Sequence, residues 1–139
     1  MVGFGSFWSG IQLVQLNDDA ITVKQPQQLI NIAKRDKVTN GNTALEAPFI
    51  HYKNGYYYLF VSADLCCKAA ESTYKILVGR SKEITGPYLD KDGKSMLQGG
   101  GSLLQQGDGV NWYAVGHNGV AFLNGKEHIV YHGYDVNDK

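Results

Sequence analysis

The sequence predicts an all-β chain, about two blades of a β-propeller built from antiparallel four-stranded sheets. Three observations predict it. Short runs of aromatic and β-branched residues follow one another, with turn residues between them. Two Asn-Gly pairs each separate two such runs, the strongest short-range hairpin signal. The surroundings of those two pairs repeat at a fixed spacing, as the units of a repeated multi-strand architecture do. The 17 glycines suit a chain with many tight turns.

Taken in order, Met1–Gly5 has neither the basic region nor the apolar core of a secretory leader and reads as the middle of a strand. Ile11–Leu16 alternates with period two. Gln27–Arg35 is the one modest helical candidate, although its Ile-Asn-Ile alternation suits a strand equally well. Ala47–Tyr52 and Gly55–Ser62 flank Asn54-Gly55 as a hairpin, and Lys75–Ser81 follows as a third strand. Gly86-Pro87 and Asp92-Gly93 are turns. Gly99-Gly100-Gly101 lacks the Lys-Ser/Thr ending and following helix of a phosphate loop, so it reads as a loop between blades. Gly119–Leu123 and His128–Tyr131 flank the second pair, Asn124-Gly125. Lys139 stops without closing an element, so both ends read as cut.

The two Asn-Gly pairs are 70 residues apart. Under that shift Glu46-Ala47-Pro48 falls on Gly116-His117-Asn118, and Ser62 falls on His132. Asp64 and Asp135 follow the second strand of each copy, one residue out of step. Propeller blades repeat in this way. A single all-β sandwich with coincidental hairpins is the other reading.

Composition narrows the function. At 43% hydrophobic and 19% charged residues the chain can bury a core and is not disordered. Lys+Arg and Asp+Glu both number 13, which argues against a nucleic-acid partner. No apolar run approaches the ~18 residues of a membrane helix. Cys66 and Cys67 are adjacent, closer than the usual Cα separation of about 5.5 Å in a disulfide, so two free thiols are expected. Nothing near them has zinc-ligand spacing.

Among residues that could carry chemistry, Glu46 opens an otherwise apolar strand. The first strand of a propeller blade lines the central channel, and a carboxylate in a partly desolvated funnel has the surroundings a general acid needs. A solvated rim residue is the alternative. His117 sits at nearly the same place in the next copy, where it could bind a metal or tune a carboxylate, or simply be a hydrogen-bonded core histidine. Ser6-Phe7-Trp8-Ser9 joins aromatic rings to hydroxyls, which suits a sugar, or else forms an aromatic corner. Of the nine tyrosines, Tyr56-Tyr57-Tyr58 is expected to alternate between sheet faces. Asp64, Asp90, Asp92 and Asp135 lie near strand ends. Asp90-Lys91-Asp92-Gly93 resembles half a calcium loop and reads as a surface turn. No Gly-x-Ser-x-Gly elbow supports serine catalysis.

Together, Gly5–Ile11, Glu46–Ile50, Asn54–Ser62, Cys66-Cys67, Ser72–Ile76, Val78–Ser81, Ile84–Tyr88, Gly99–Gly101 and Gly116–Asn118 resemble the endo-α-1,5-L-arabinanases of glycoside hydrolase family 43, in order and over essentially the whole chain. The resemblance implies a five-bladed propeller and an inverting mechanism with three carboxylates. It implies that Glu46 is the general acid, that Ser6, Phe7 and Trp8 line the substrate, and that His117 holds a central calcium ion largely through water. The family's general base and its third carboxylate, in an Ile-Asp-Pro motif, both precede the Gly-Ser-Phe-Trp segment and map to no residue here. Residues 1–139 are therefore expected to be the end of one blade plus about two further blades of a catalytic domain. Such a piece would be inactive alone and prone to self-association through exposed blade edges. Arabinan or an arabino-oligosaccharide is the expected partner, and secretion is the family habit. The other readings are an exo-acting relative, a non-catalytic carbohydrate-binding module, and a structural propeller for protein contacts.

Overall fold

The structure, a computed structural model, describes residues 1–137. The reading of Lys139 as an open end lies outside them. Nine strands form three antiparallel sheets among the described residues. Strands β1 (Val2–Phe4), β2 (Ile11–Val14) and β3 (Ile30–Ala33) form the first, in the order β1-β2-β3. The second contains β4 (Leu45–Lys53), β5 (Tyr56–Ala63), β6 (Lys75–Ser81) and β7 (Ser102–Gln106), hydrogen-bonded in sequence order. The third pairs β8 (Trp112–Leu123) with β9 (Lys126–Asp135).

Both Asn-Gly hairpins form as the sequence predicts. Asn54 and Gly55 have φ of 51° and 77°, and Asn124 and Gly125 have 51° and 75°, the left-handed pair that a two-residue turn needs to match strand twist. The 70-residue shift is also visible in the ladders. Glu46 pairs with Ser62 and Gly116 with His132, and each first strand then carries one extra residue before pairing resumes at Phe49 and Gly119. The bulge residues, Ala47 (φ 52°) and His117 (φ 53°), correspond under the same shift.

Gln27–Arg35 resolves as strand, at Ile30–Ala33. The α-helix lies instead at Lys37–Asn40 (α1), capped by Asp36 accepting from Val38 N–H at 3.1 Å and closed by Gly41 at φ 77°. The alternation of Ile11–Leu16 ends early: Ile11 and Leu13 are buried, but Val14 is buried as well, and Leu16 makes an isolated bridge to Val23. Tyr56 and Tyr58 do share a face, with rings 6.5 Å apart, while Tyr57 turns to the other face against Tyr52 at 4.7 Å.

The glycine run 99–101 is not a loop between blades. It ends the long connection from β6 to β7 within one sheet. That connection folds back on β6 through paired Arg80–Leu89 backbone bonds of 2.8 and 2.9 Å. The buried Tyr88 holds it by donating to Ile84 C=O at 2.8 Å. Glycine is required there because a Cβ on Gly100 would strike the Lys94 and Ser95 carbonyls.

Ile11, Leu13, Ile32 and Ala33 of the first sheet meet Leu45, Leu59, Val61, Ala63 and Leu77 of the second, with Tyr88 and Met96 from the connection completing the core. The third sheet packs on β4, β5 and β6, yet β9 is exposed along nearly its whole length.

Candidate active site

Glu46 is half-buried, one residue into β4, immediately before the bulge. Both carboxylate oxygens accept hydrogen bonds: the Tyr74 hydroxyl donates to Oε1 at 2.8 Å and the Ser6 hydroxyl to Oε2 at 3.1 Å. Ser6 arrives from the turn between β1 and β2, which is pinned to β4 by a 2.9 Å bond from Phe7 N–H to Leu45 C=O. That turn brings Phe7 and Trp8 beside the same strand end, with ring centroids 6.1 Å apart. Trp8 is 82% exposed, although burial is the ordinary state of so large an apolar ring.

Tyr74 was missed in the sequence. It precedes β6, is buried, and its backbone C=O accepts from Val115 N–H at 3.2 Å. Burial pushes its phenol well above the usual range; the Ser62 hydroxyl opposes the rise and the Glu46 carboxylate adds to it. Tyr74 therefore keeps its proton and remains a donor. The sequence signal that could have found it is Ser72-Thr73-Tyr74, part of the segment that resembles the family.

His117 lies at the equivalent bulge of β8, exposed, with its ring stacked on His132 at 5.8 Å. Its backbone N–H donates to the fully buried Ser62 hydroxyl at 2.7 Å. The neighbouring Asn118 is buried, and neither its amide nitrogen nor its amide oxygen has a hydrogen-bond partner among the described residues. Calcium takes six to eight oxygen ligands, whereas His117 offers a nitrogen, and no group of three His, Cys, Asp or Glu residues gathers among the described residues. These residues alone do not make a calcium cage.

The remaining carboxylates have structural work. Asp64 is buried between Arg35, Lys75 (2.7 Å) and Asn42 (3.2 Å). Burial would raise its carboxyl, but the hydrogen bonds of Lys75 and Arg35 and the Arg35 charge prevail and hold it below the ordinary value. Asp90 accepts from the backbone N–H groups of Asp92, Lys94 and Gly101, which makes 90–93 the surface turn the sequence predicts. Asp135 accepts from Asn137.

Cys66 and Cys67 are not free thiols; they are bonded to each other across a Cα separation of 3.8 Å. The expectation rested on the common Cα spacing. Here the chain turns sharply between β5 and β6, with Cys67 at φ 65° and its N–H donating to the Tyr134 hydroxyl at 2.9 Å.

A family model described as glycosyl hydrolases family 43 matches residues 4–139. The extracellular endo-α-(1→5)-L-arabinanase 1 of Bacillus subtilis is 53% identical, the alignment covering 99% of this chain and 40% of that protein. The extracellular exo-α-(1→5)-L-arabinofuranosidase of Cellvibrio japonicus is 48% identical, over 99% of this chain and 41% of that protein. The chain thus spans about two-fifths of the length of these relatives. Among solved structures, the Cellvibrio cellulosa α-L-arabinanase complexed with arabinohexaose superposes with a TM-score of 0.87 at 47% identity, over 98% of this chain and 45% of that one. An endo-arabinanase of Bacillus licheniformis does so with a TM-score of 0.85 at 50% identity, over 98% and 44%. The chain belongs to glycosyl hydrolases family 43, and its all-β architecture is that of the family's arabinanases, which are five-bladed β-propellers.

Proposed function

We propose that this chain supplies the acid side of an active site that hydrolyses α-1,5-linked L-arabinofuranosyl bonds in arabinan with inversion. The observation that carries the reading is Glu46, half-buried at a bulged strand end, held by two hydroxyl donors and flanked by exposed Trp8 and by Phe7. In its acid form Glu46 protonates the departing glycosidic oxygen, while Phe7 and Trp8 offer flat faces to the sugar and Ser6 a hydroxyl. Relatives named for arabinan linkages, and a neighbour structure that holds arabinohexaose, favour this polymer as substrate.

An inverting site also needs a carboxylate to activate water about 6.5–9.5 Å from the acid. Asp64 does not fill that role, because Arg35 and Lys75 engage both its oxygens. In this reading the base comes from outside residues 1–139, within the same five-bladed catalytic domain, and the 139-residue chain alone releases no sugar. In this reading His117 would help hold a calcium ion largely through water, with the ion's other ligands supplied from outside the described residues. The Cys66–Cys67 disulfide and the naming of relatives as extracellular favour an extracellular setting. Without further blades, the open edge of β9 and exposed Phe122, Leu123 and Val130 favour self-association.

The test is reducing-sugar release from linear arabinan by the full-length form of the protein. Glu46→Gln is expected to lower kcat by roughly 10²–10⁴-fold, the usual share of acid–base assistance. A Glu46→Gln protein that hydrolyses arabinan normally would refute the assignment. Wild-type binding without release would favour a carbohydrate-binding module instead. The relatives include one named endo and one named exo, and the product series, mixed oligosaccharides or a single short product, separates those modes.

A further inference from the structure

Two hydroxyls, Ser6 and Tyr74, donate to Glu46, and both lie on other segments of the chain. Ser62 on β5 is fully buried, and its oxygen accepts from His117 N–H on β8 at 2.7 Å. An ionised carboxylate only accepts, so the Tyr74 phenol directs its proton at Glu46 Oε1, 2.8 Å away. From the first sheet, Ser6 holds the other carboxylate oxygen at 3.1 Å.

The Tyr74 ring is fixed as firmly as its hydroxyl. Gly116, on β8 opposite His132, lies flat against it, and a Cβ at Gly116 would collide with ring carbons of Tyr74. The backbone of Tyr74 is tied to β8 through Val115 N–H. Backbone and ring face are thus held by Val115 and Gly116 of β8, and the free end of the side chain is the donor to Glu46. Glutamate is long and rotamer-rich, and nothing about β4 alone would set the direction of its carboxyl.

We propose that Tyr74, seated in the notch at Gly116, is a positioning residue that aims the Glu46 carboxyl at the glycosidic oxygen. This rests on the reading of Glu46 as general acid. It also links the two bulged strands: Gly116 on β8 faces the ring whose hydroxyl reaches Glu46 on β4.

The experiment compares leaving groups in the full-length form of the protein. Arabinan needs its departing oxygen protonated, whereas an arabino-oligosaccharide bearing a 2,4-dinitrophenyl group does not. Tyr74→Phe keeps the ring in the notch and removes only the donor. It is expected to lower kcat on arabinan by about 10- to 100-fold with KM little changed, because small displacements of a catalytic group cost on that order. Hydrolysis of the dinitrophenyl substrate should stay near wild type. Gly116→Ala, which keeps the hydroxyl but displaces the ring, should show the same dependence on leaving group. Equal losses on both substrates, or no loss on arabinan, would overturn the proposal. Glu46→Gln run in parallel separates the two readings. If it hydrolyses arabinan normally, the acid assignment falls and this inference with it. If it is inactive on arabinan while Tyr74→Phe behaves as wild type, only the positioning role falls.

Discussion

Asp64→Asn should destabilise the protein more than any other isosteric change near the site. Asp64 and Arg35 are each more than nine-tenths buried and ion-paired, Lys75 bonds the second carboxylate oxygen at 2.7 Å, and Asn42 adds a bond of 3.2 Å. Substitution by asparagine keeps the volume and strips the charge, leaving the Arg35 guanidinium buried without a counter-ion. Removing one partner of a buried pair costs about 3–5 kcal/mol, a large share of the ~5–15 kcal/mol that holds a domain folded. For a chain of this size that lowers Tm by about 10 °C or more. The effect has a definite pH dependence. The folded carboxyl lies below its unfolded value of 3.8, so its contribution is fully present above that value and is lost as pH falls through the lower folded one. The wild-type advantage over Asp64→Asn should be constant from pH 5 to 7 and shrink only below about pH 4. Circular-dichroism melts across that range measure it. A paired Arg35→Met/Asp64→Leu variant removes both buried charges and should recover most of the loss, since apolar replacements of buried ion pairs are commonly neutral or better. Lys75, 29% exposed, can then turn to solvent. An Asp64→Asn protein that melts within two or three degrees of wild type at pH 7 would refute the reasoning.

Two further outcomes are expected. Trp8→Ala should leave the melting temperature nearly unchanged because the ring is 82% exposed, yet weaken arabinohexaose binding about tenfold, the equivalent of one lost aromatic contact of about 1.4 kcal/mol. Calorimetric titration measures this, and an unchanged affinity would remove Trp8 from the substrate path. Thiol titration in denaturant should find Cys66 and Cys67 unreactive until a reductant is added, and immediate reaction of both would restore the free-thiol expectation.

The fold was legible wherever a local rule had few competitors. Asn54-Gly55 and Asn124-Gly125 fixed two hairpins because left-handed φ at both turn positions is cheap for little else. Lys75–Ser81 was legible end to end because it is a central strand with apolar residues on both faces. The helix at Lys37–Asn40 escaped because it is a single turn whose only signals are Asp36 and Gly41, and β7 escaped because the connection before it is long and rich in turns. Motif resemblance singled out Glu46, Ser6, Phe7, Trp8 and His117 as site candidates; the structure bonds Ser6 to Glu46, and the contacts around them were not legible. Tyr74 lies 28 residues from Glu46, and no spacing rule for a single strand joins them. The Cys66–Cys67 bond was misread because a rule about common disulfide spacing was applied to a turn whose backbone the sequence does not specify.

The two bulges explain why Glu46 and His117 stand where they do. A regular strand turns successive side chains to opposite faces, so a polar residue near its start points either into the core or away from the cleft. One extra residue breaks that alternation and re-aims what precedes it. The device occurs twice, between Glu46 and Phe49 and between Gly116 and Gly119, with a left-handed residue in the same position each time. Duplication of the backbone has not meant duplication of the chemistry. In the first copy the residue before the bulge is a glutamate whose partner across the ladder is Ser62; in the second it is a glycine whose partner is His132. The glycine is the complement of the glutamate, since its missing side chain is the space filled by the tyrosine that donates to the Glu46 carboxylate. The repeat therefore supplies two similar strand ends, one carrying the Glu46 carboxylate and the other the glycine against which the Tyr74 ring lies.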